Sequence, residues 1–253
     1  MEYKKLRVII SGGGTGGHIF PAISIADKLK EVKPDIAVGV GGYASAPLLW
    51  QATRKGIPSL IQEQNSFAGL TNKILAKRVG CICVAYDGME KFFPADKIVF
   101  SGNPIRSVIH PYSEADKAEG LAFYGLDPDK KHILLTGGRL GSGTLNAAVR
   151  GWISAGCPGG EGVQLLWQCG KYYKAGIDSF MAGRKCPDIR YSDFIARMDL
   201  AYAVADVVIS RSGASSISEL CAAHKAAVFV PSPNVAEDHQ THNAMALVSK
   251  DAA

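Results

Sequence analysis

The sequence lacks an apolar run long enough to cross a bilayer, and its first residues do not form the apolar core of a signal peptide. A membrane span needs roughly 18–20 consecutive apolar residues, so any membrane contact is expected to be peripheral. Charged residues are also scarce, at 20%, whereas 47% of the residues are hydrophobic. This balance excludes a disordered chain and is typical of a globular α/β protein.

Cysteine occurs at only six positions, and these do not have the spacing of a metal site. Cys81 and Cys83 would share one face of a strand, which is typical of buried thiols. We therefore expect a reduced, cytosolic protein that binds no metal. The interleaved aromatic residues of an RNA-binding domain are missing too, which disfavours a nucleic-acid partner.

The net charge of +5 is concentrated in the first part of the chain. Residues 1–110 hold 14 lysines and arginines against 8 acidic residues, whereas residues 111–253 hold 14 against 15. A basic amino-terminal half suits an anionic bilayer or a phosphorylated substrate.

Short apolar runs alternate with helical patterns, which predicts two α/β domains with parallel sheets. We expect an amino-terminal domain over 1–108, a linker over 109–131 and a carboxyl-terminal domain over 132–253. Ligands of such sheets bind beyond the carboxyl ends of the strands. The predicted strands are the runs at 6–10, 36–40, 59–61, 81–85, 98–100, 132–135, 164–167, 207–209 and 227–230.

The most informative stretch is a glycine loop, Gly12–His18, between the first predicted strand and a helix predicted over Ile19–Lys30. Glycine lets backbone N–H groups approach a phosphate, and a helix N-terminus adds about half a positive charge. A related loop, Thr136–Gly143, follows a later apolar run. Two such loops predict two α/β halves that face one charged pair of substrates.

A third candidate for anion binding follows the run at 207–209. Ser215, Ser216 and the N–H groups of a first helical turn would form a pocket for a diphosphate. Glu219, one turn further on, can accept two hydrogen bonds from vicinal ribose hydroxyls. The alternative is a capping box between Ser216 and Glu219, which would only stabilise the start of the helix. The residues alone leave both interpretations open.

Polar side chains accompany three further predicted elements. The stretch Glu63–Asn72 can bind sugar hydroxyls, or it can cap the helix that follows. Arg106 can stabilise developing phosphate charge, or it can pair with a surface carboxylate. His239 and His242 lie three positions apart on a predicted helix, but no third and fourth ligand at metal-binding spacing accompany them.

Six motifs occur in order: GGGTGGHxxPA at 12–22, GGYxS at 41–45, EQNxxAGxxN at 63–72, GNPxR at 102–106, RSGAxSxSE at 211–219 and DHQxxNA at 238–244. Together they resemble the bacterial peptidoglycan glycosyltransferases that add N-acetylglucosamine to lipid I, over essentially the whole chain. The resemblance implies the GT-B fold, in which two Rossmann-like parallel-sheet domains face a cleft. The carboxyl-terminal domain would hold UDP-N-acetylglucosamine, and the amino-terminal domain would hold the lipid-linked acceptor. The resemblance also implies an enzyme without a cofactor, bound peripherally to an anionic membrane surface at the cytoplasmic face of the bacterial inner membrane.

The resemblance assigns a role to each matching position. His18 would be the general base or position the acceptor 4-hydroxyl, although it could instead only cap the glycine loop. Arg106 would lie near the leaving phosphates, the backbone of Ile195 would read uracil, and Glu219 would hold the ribose hydroxyls. The other substrate-binding positions implied are Thr15, Gly16, Gly17, Asn65, Ala214, Ser215, Ser216, Ile217, Ser218 and Gln240.

The reaction implied is an inverting, metal-independent hexosyl transfer. The acceptor is a muramyl pentapeptide linked to undecaprenyl diphosphate, and its 4-hydroxyl would displace UDP at the anomeric carbon. Helix dipoles and Arg106 would stabilise the leaving diphosphate.

The chain departs from the family in its length. Between Lys30 and Glu31 the family has about two further βαβ units of ~30 residues each, so we expect a first domain of reduced size. We also expect the chains of family members to contain further βα units after the position that corresponds to Ala253. The remaining candidate for the membrane contact is a basic and apolar patch. It would comprise Leu48, Leu49, Trp50, Arg54, Lys55, Lys73, Lys77 and Arg78. The alternative for Leu48–Trp50 is an ordinary place in the core, and for Leu48 the core is the favoured interpretation.

A further departure is Arg139, which stands where the family has a serine that contacts the donor. Its long cationic side chain could reach a phosphate or block the cleft.

Two other functions fit part of the sequence. A nucleotide-sugar-binding homologue without transfer activity would keep the donor motifs. A dinucleotide-dependent oxidoreductase would use the glycine loops and an acidic residue about 20 positions beyond the first one, such as Glu31 or Asp35. That reading leaves the remaining motifs unexplained.

Overall fold

A computed structural model describes residues 6–12, 29 and 31–253 of the chain. The chain divides into two compact units. Unit 1 contains Met1–Pro104 and Val235–Asn243, and unit 2 contains Ile105–Asn234 and Ala244–Ala253. Each unit is built on a five-stranded parallel sheet with connecting helices, which confirms the predicted fold class.

Unit 1 consists of short strands and helices that alternate along the chain. Its strands are β1 (Val8–Ser11), β2 (Ile36–Gly39), β3 (Ser59–Glu63), β4 (Cys81–Val84) and β5 (Ile98–Phe100). The helices with described bounds in unit 1 are α1 (Ser45–Arg54), α2 (Leu70–Leu75) and the 3-10 turns Met89–Lys91, Ala95–Lys97 and Ala236–Asp238. Strand β3 ends two residues later than predicted, so Gln62 and Glu63 belong to the sheet.

The strand order in unit 1 is β1-β2-β3-β4-β5, so the sheet grows in one direction only. Right-handed crossovers that all advance in the same direction place their helices on a single face. This face is the buried one. It carries Ala37, Ile61 and Ile82, which are fully buried in a core that also contains Leu29 and Leu49.

The second face of the same sheet carries apolar side chains that are only half-buried or exposed, and we call it the open face. Val8, Ile10 and Val99 on its outer strands are 50%, 65% and 49% exposed. The strand register places Ile36, Val38, Leu60, Cys81 and Cys83 on this face, and all five are half-buried. Parallel sheets are normally covered on both faces, whereas the described residues of unit 1 leave the open face without such a cover.

Unit 2 contains longer strands and helices than those described in unit 1. Its strands are β6 (Lys131–Thr136), β7 (Val163–Gln168), β8 (Ile189–Ser192), β9 (Val207–Ser210) and β10 (Ala226–Phe229). Its helices are α3 (Glu114–Tyr124), α4 (Gly143–Ser154), α5 (Lys174–Met181), α6 (Met198–Val204) and α7 (Ala214–Ala222). Helix α8 (His239–Val248) begins in unit 1 and ends in unit 2.

Both faces of the sheet in unit 2 are covered. Adjacent residues of β6 point to opposite sides: Leu134 packs in one core with Val208, and Leu135 packs in another with Trp167. The strand order is β10-β9-β6-β7-β8, so the chain starts in the middle, builds outwards and then reverses at β9. The reversal creates a topological switch point between β6 and β9.

Two features of unit 2 differ from the sequence predictions. Strand β8 was not predicted because Ile189-Arg190-Tyr191-Ser192 is a short edge strand in which only Ile189 is buried. Residues 114–124, inside the predicted linker, form helix α3. Ser113 caps it through a capping box with Asp116.

Candidate functional site

The strongest candidate site lies at the switch point of unit 2. The carboxyl ends of β6 and β9 lead into the loops 137–142 and 211–213, after which α4 and α7 begin. Two adjacent helices therefore start at the same edge of the sheet. In open α/β sheets this crevice is where ligands bind, and helix starts there favour anions.

Helix α7 starts without a side-chain cap. Its N-cap residue is Gly213, with φ −68° and ψ 145°, and no side chain bonds to the helix start from that position. The capping box between Ser216 and Glu219 is therefore wrong, since both residues lie inside the helix. Ser215 is exposed and Ser216 is half-buried, so the first turn is open to a ligand. This leaves the anion-pocket interpretation.

Glu219 is held by Arg106 in a two-point interaction. The Arg106 Nε and Nη2 atoms donate to Glu219 Oε1 and Oε2, each at 2.9 Å. Tyr202 Oη donates to the same Oε2 at 3.2 Å. The Glu219 side chain is 12% exposed and that of Arg106 is 50% exposed. Of the two alternatives for Arg106, the structure shows the pairing with a carboxylate, and this carboxylate is the predicted ribose-binding residue.

The pKa values of Arg106 and of the adjacent Tyr202 are both shifted in this cluster. The hydrogen bonds to Glu219 raise the pKa of Arg106. Burial, followed by the charge of Glu219, raises the pKa of the Tyr202 phenol. Tyr202 therefore stays protonated and donates its hydrogen bond throughout the physiological range.

Arg211 joins the loops around the switch point. Its Nη1 donates to the carbonyls of Val230 at 2.9 Å and Pro231 at 2.7 Å, and its Nη2 donates to Ser142 Oγ at 2.6 Å. Burial lowers the pKa of its guanidinium. Arg211 lies in the RSGAxSxSE motif, but the sequence did not predict a role for it, because its hydrogen-bond partners are distant along the chain.

The loop before α4 also requires glycine where two backbones meet. Gly141 and Gly170 have φ of +85° and +86°. A Cβ on Gly170 would lie 2.2 Å from Gly141 Cα, and one on Gly141 would lie 2.2 Å from the carbonyl oxygen of Cys169. The loops after β6 and β7 are therefore in direct backbone contact.

Replacing Gly170 with alanine is expected to lower the free energy of unfolding by about 3 kcal/mol, because it combines an unfavourable φ with a steric clash. Urea denaturation measures this loss. Gly176→Ala in α5 is the matched control, since a Cβ there would meet no described atom within 4 Å. The control should stabilise the chain by ~0.5–1 kcal/mol through helix propensity. Equal effects of the two substitutions would contradict the backbone contact.

Ile195, the predicted uracil reader, is buried. Its backbone N–H donates to Gln168 Oε1 at 2.9 Å, so the N–H is already engaged in the structure. The other predicted donor positions, Ala214, Ile217 and Ser218, lie in the first two turns of α7. Ile217 is buried and Ser218 Oγ donates to the carbonyl of Ala214, so in the structure both side chains are directed to the protein itself.

In unit 1, a cavity of about 280 Å³ lies at the carboxyl ends of β2 and β3. Glu63 and Asn65 are among the residues that line it. Glu63 is buried and accepts hydrogen bonds from the N–H groups of Asn65 and Gly69 and from the Asn72 side chain. Because Gly69 is the N-cap of α2, the capping interpretation holds for Glu63. Asn65 Oδ1 accepts from Asn243 Nδ2 at 3.0 Å.

The DHQxxNA motif forms the start of α8. Asp238 Oδ1 accepts from Thr241 Oγ1 at 2.7 Å, and Gln240 is half-buried. His242 stacks on Phe67 with ring centroids 4.9 Å apart. Asn243 is fully buried and accepts from the Ser66 N–H at 2.9 Å, a link that sequence reasoning missed. Among the described residues no group of three or more His, Cys, Asp or Glu side chains could hold a metal ion.

Four predicted site residues lie outside the described residues: Thr15, Gly16, Gly17 and His18. The sequence also contains one Asp-x-Asp triplet of the kind that can hold a metal, at Asp127–Asp129. It precedes the amino end of β6, the end opposite the glycine loop. Asp127 Oδ1 accepts from the N–H of Asp129, as in a turn.

The predicted membrane patch needs correction. Leu48 and Leu49 are 6% and 0% exposed and belong to the core of unit 1, which confirms the core alternative for both and removes them from the patch. Trp50 is partly exposed, and the Arg78 guanidinium carbon lies 3.5 Å from its ring centroid. Within the described part of the chain, no helix is long and apolar enough to span a membrane.

Comparison with protein families gives two matches. Residues 132–253 match the glycosyltransferase family 28 C-terminal domain. Residues 8–37 and 28–84 match the N-terminal domain of the same family in two overlapping pieces. The pieces overlap where the sequence predicts that βαβ units are missing.

Curated relatives match nearly the whole chain. A protein of Parabacteroides distasonis is 48% identical over 314 aligned positions, which cover 99% of this chain and 84% of the relative. A protein of Bacteroides thetaiotaomicron is 44% identical, with the same coverage. Both are named UDP-N-acetylglucosamine--N-acetylmuramyl-(pentapeptide) pyrophosphoryl-undecaprenol N-acetylglucosamine transferase. The 314 aligned positions exceed the 253 residues of this chain by 61, which agrees with a shortened first domain.

A solved structure has the same fold. The crystal structure of Acinetobacter baumannii MurG matches with a TM-score of 0.69 and 32% identity. The match covers 90% of this chain and 61% of that one, so the chain spans less than two thirds of its length. The chain therefore belongs to glycosyltransferase family 28 and, within it, to the MurG transferases of GT-B fold.

Proposed function

We propose that this chain transfers N-acetylglucosamine from UDP-N-acetylglucosamine to a lipid-linked N-acetylmuramyl pentapeptide, the conversion of lipid I to lipid II in peptidoglycan synthesis. The relatives are named as transferases of this sugar. The observation that carries the proposal is the switch point of unit 2. There the uncapped start of α7 and the half-buried carboxylate of Glu219 lie on one helix.

Donor binding replaces the hydrogen bonds between Arg106 and Glu219 with hydrogen bonds from the ribose to Glu219. In the structure Arg106 donates a hydrogen bond to each carboxylate oxygen of Glu219. The two ribose hydroxyls donate to these oxygens and replace the guanidinium, which then turns to the diphosphate. The N–H groups at the start of α7, with Ser215 and Ser216, complete the diphosphate site.

The transfer itself is a displacement with inversion. The acceptor 4-hydroxyl oxygen attacks the anomeric carbon, and the bond from that carbon to the β-phosphate oxygen breaks. UDP leaves with the bonding electron pair, and His18 takes the hydroxyl proton. The charge that develops on the leaving diphosphate is stabilised by the α7 helix start and by Arg106. Asn65 and Gln240 contact the transferred sugar, and Thr15, Gly16 and Gly17 border the donor sugar and the acceptor diphosphate.

The acceptor carries a lipid, so the chain acts at the cytoplasmic surface of the bacterial membrane. A peripheral contact is supported by exposed apolar side chains that lie near basic ones in unit 1. Leu70 and Ile74 are 57% and 52% exposed on consecutive turns of α2, and Lys77 and Arg78 follow directly. Such a surface suits an anionic bilayer.

Thermal unfolding with millimolar UDP-N-acetylglucosamine, together with a transfer assay, tests the proposal. A donor at 100 times its Kd should add about 2.7 kcal/mol to the free energy of unfolding and raise the Tm. Labelled sugar should then pass from the donor to a lipid I analogue.

The two readouts separate the proposal from its alternative. Donor binding without any transfer to the lipid I analogue would overturn the enzymatic function and favour a nucleotide-sugar-binding homologue. The absence of a Tm shift at millimolar donor would overturn both.

A further inference from the structure

Gln168 is a buried amide that links two loops of unit 2. It is the last residue of β7 and is 2% exposed. Its Nε2 donates to the carbonyl of Gly138 at 2.9 Å and to Thr136 Oγ1 at 3.2 Å. Its Oε1 accepts from the backbone N–H of Ile195 at 2.9 Å. One side chain therefore holds the glycine loop after β6 and the loop after β8.

The direction of these hydrogen bonds is fixed by chemistry. A backbone N–H can only donate, so the atom that faces Ile195 is the amide oxygen. A backbone carbonyl can only accept, so the atom that faces Gly138 is the amide nitrogen. An amide is the side chain that satisfies both partners at once, since a carboxylate cannot donate and an ammonium cannot accept.

The strand order explains the position of this link. β7 lies between β6 and β8, so its last residue is flanked by the loops that follow both neighbours. The loop after β6 lies at the switch point, and Ile195 lies in the loop after β8. In the proposed donor site the Ile195 loop binds the base, and the loop after β6 adjoins the α7 helix start that binds the diphosphate, because β6 and β9 are neighbours.

We propose that Gln168 is a positioning residue for the sugar donor, because it fixes the diphosphate-side glycine loop relative to the base-reading backbone of Ile195. This inference rests on the proposed donor site. Gln168 touches no substrate in this scheme; it sets the spacing between two loops of the donor site, so that one nucleotide reaches both without a rearrangement of the loops.

Two variants separate the two links. In Gln168→Glu the carboxylate still accepts the Ile195 N–H, but it cannot donate to the Gly138 carbonyl and repels it. In Gln168→Met both links are lost at similar side-chain volume. We expect Gln168→Glu to keep uridine affinity within about 3-fold while UDP affinity falls about 10-fold. Gln168→Met should weaken the binding of both uridine and UDP. Isothermal titration with uridine and with UDP measures the ratio.

Protonating the introduced glutamate should restore the lost hydrogen bond. The resulting pH dependence of UDP affinity would not be expected if Gln168 had a purely structural role. Lowering the pH towards about 5 should protonate the buried carboxyl introduced in Gln168→Glu, because burial raises its pKa above the usual value of about 4.3. The neutral acid can again donate to Gly138. UDP affinity, taken relative to the native chain at the same pH, should then recover.

Gln164→Met is the matched control. Gln164 is a buried amide at the amino end of the same strand, and it also links two loops, through Asp127 N–H at 2.7 Å and Asp188 Oδ1 at 3.1 Å. Its loss should lower the Tm without changing the UDP-to-uridine ratio. An unchanged ratio in both Gln168 variants would overturn the positioning role while leaving the donor site intact. A native chain that binds neither UDP nor uridine would instead overturn the proposed function.

Discussion

Replacing Glu219 with alanine is expected to weaken the binding of uridine and of UDP-N-acetylglucosamine by about 100-fold each, or ~2.7 kcal/mol. The carboxylate is the group that would accept two hydrogen bonds from the ribose, and hydrogen bonds to charged groups contribute about 1.5–3 kcal/mol each. Isothermal titration with both ligands measures the loss.

Replacing Arg106 with methionine should have opposite effects on the same two ligands. The guanidinium competes with the ribose for Glu219, so its removal should strengthen uridine binding by about 3-fold. It also supplies charge to the diphosphate, so UDP binding should weaken by about 10-fold. The methionine side chain keeps most of the volume of the Arg106 stem, which limits the change in packing.

Tyr202→Phe is the control for this pair. It removes a single hydrogen bond, at 3.2 Å, from the same Glu219 oxygen and leaves the carboxylate in place. Both affinities should change by less than about 3-fold. If uridine binding in Arg106→Met fell as much as UDP binding, the exchange of Arg106 for ribose would be contradicted.

The second large effect is expected from two adjacent residues of β3 in unit 1. Ile61 is fully buried under the helices, whereas Leu60 is half-buried on the open face. Ile61→Thr should lower the free energy of unfolding by about 3 kcal/mol, because it deletes core packing and buries a hydroxyl. Leu60→Thr should cost less than about 1 kcal/mol and reduce aggregation, since threonine suits a strand and exposes less apolar surface.

Urea denaturation and light scattering measure these two effects. The substitutions are at adjacent positions of one strand and introduce the same residue, so the β propensity of the new side chain is common to both. A cost for Leu60→Thr as large as that for Ile61→Thr would mean that the open face is covered in solution.

Much of the fold follows from local sequence patterns. The β-branched and apolar runs predicted nine of the ten strands, and the alternation with helices predicted parallel sheets. The exception, β8, is an edge strand whose residues are mostly only half-buried, so its apolar signal is weak. Leu48 and Leu49 had two possible locations for a related reason: an apolar run does not by itself reveal whether it faces a core or a membrane.

The candidate site was predictable in its residues but not in its contacts. The RSGAxSxSE motif identified both the α7 helix start and Glu219, because a strand, small residues and a helix follow one another in sequence. Its capping-box alternative failed when the structure placed the helix start at Ala214. The roles of Gln168, Arg211 and Asn243 had no local signal, since each acts on backbone or side chains brought close by other elements.

The sequence by itself determined the succession of strands, glycine loops and helices, and through its six motifs the family, because these depend on neighbouring residues and their periodicity. Only the tertiary structure decided which residues meet. Arg106 and Glu219 are 113 positions apart and pair within unit 2. The open face of unit 1 likewise results from strand order, because a sheet that advances in one direction places its right-handed crossovers on one side.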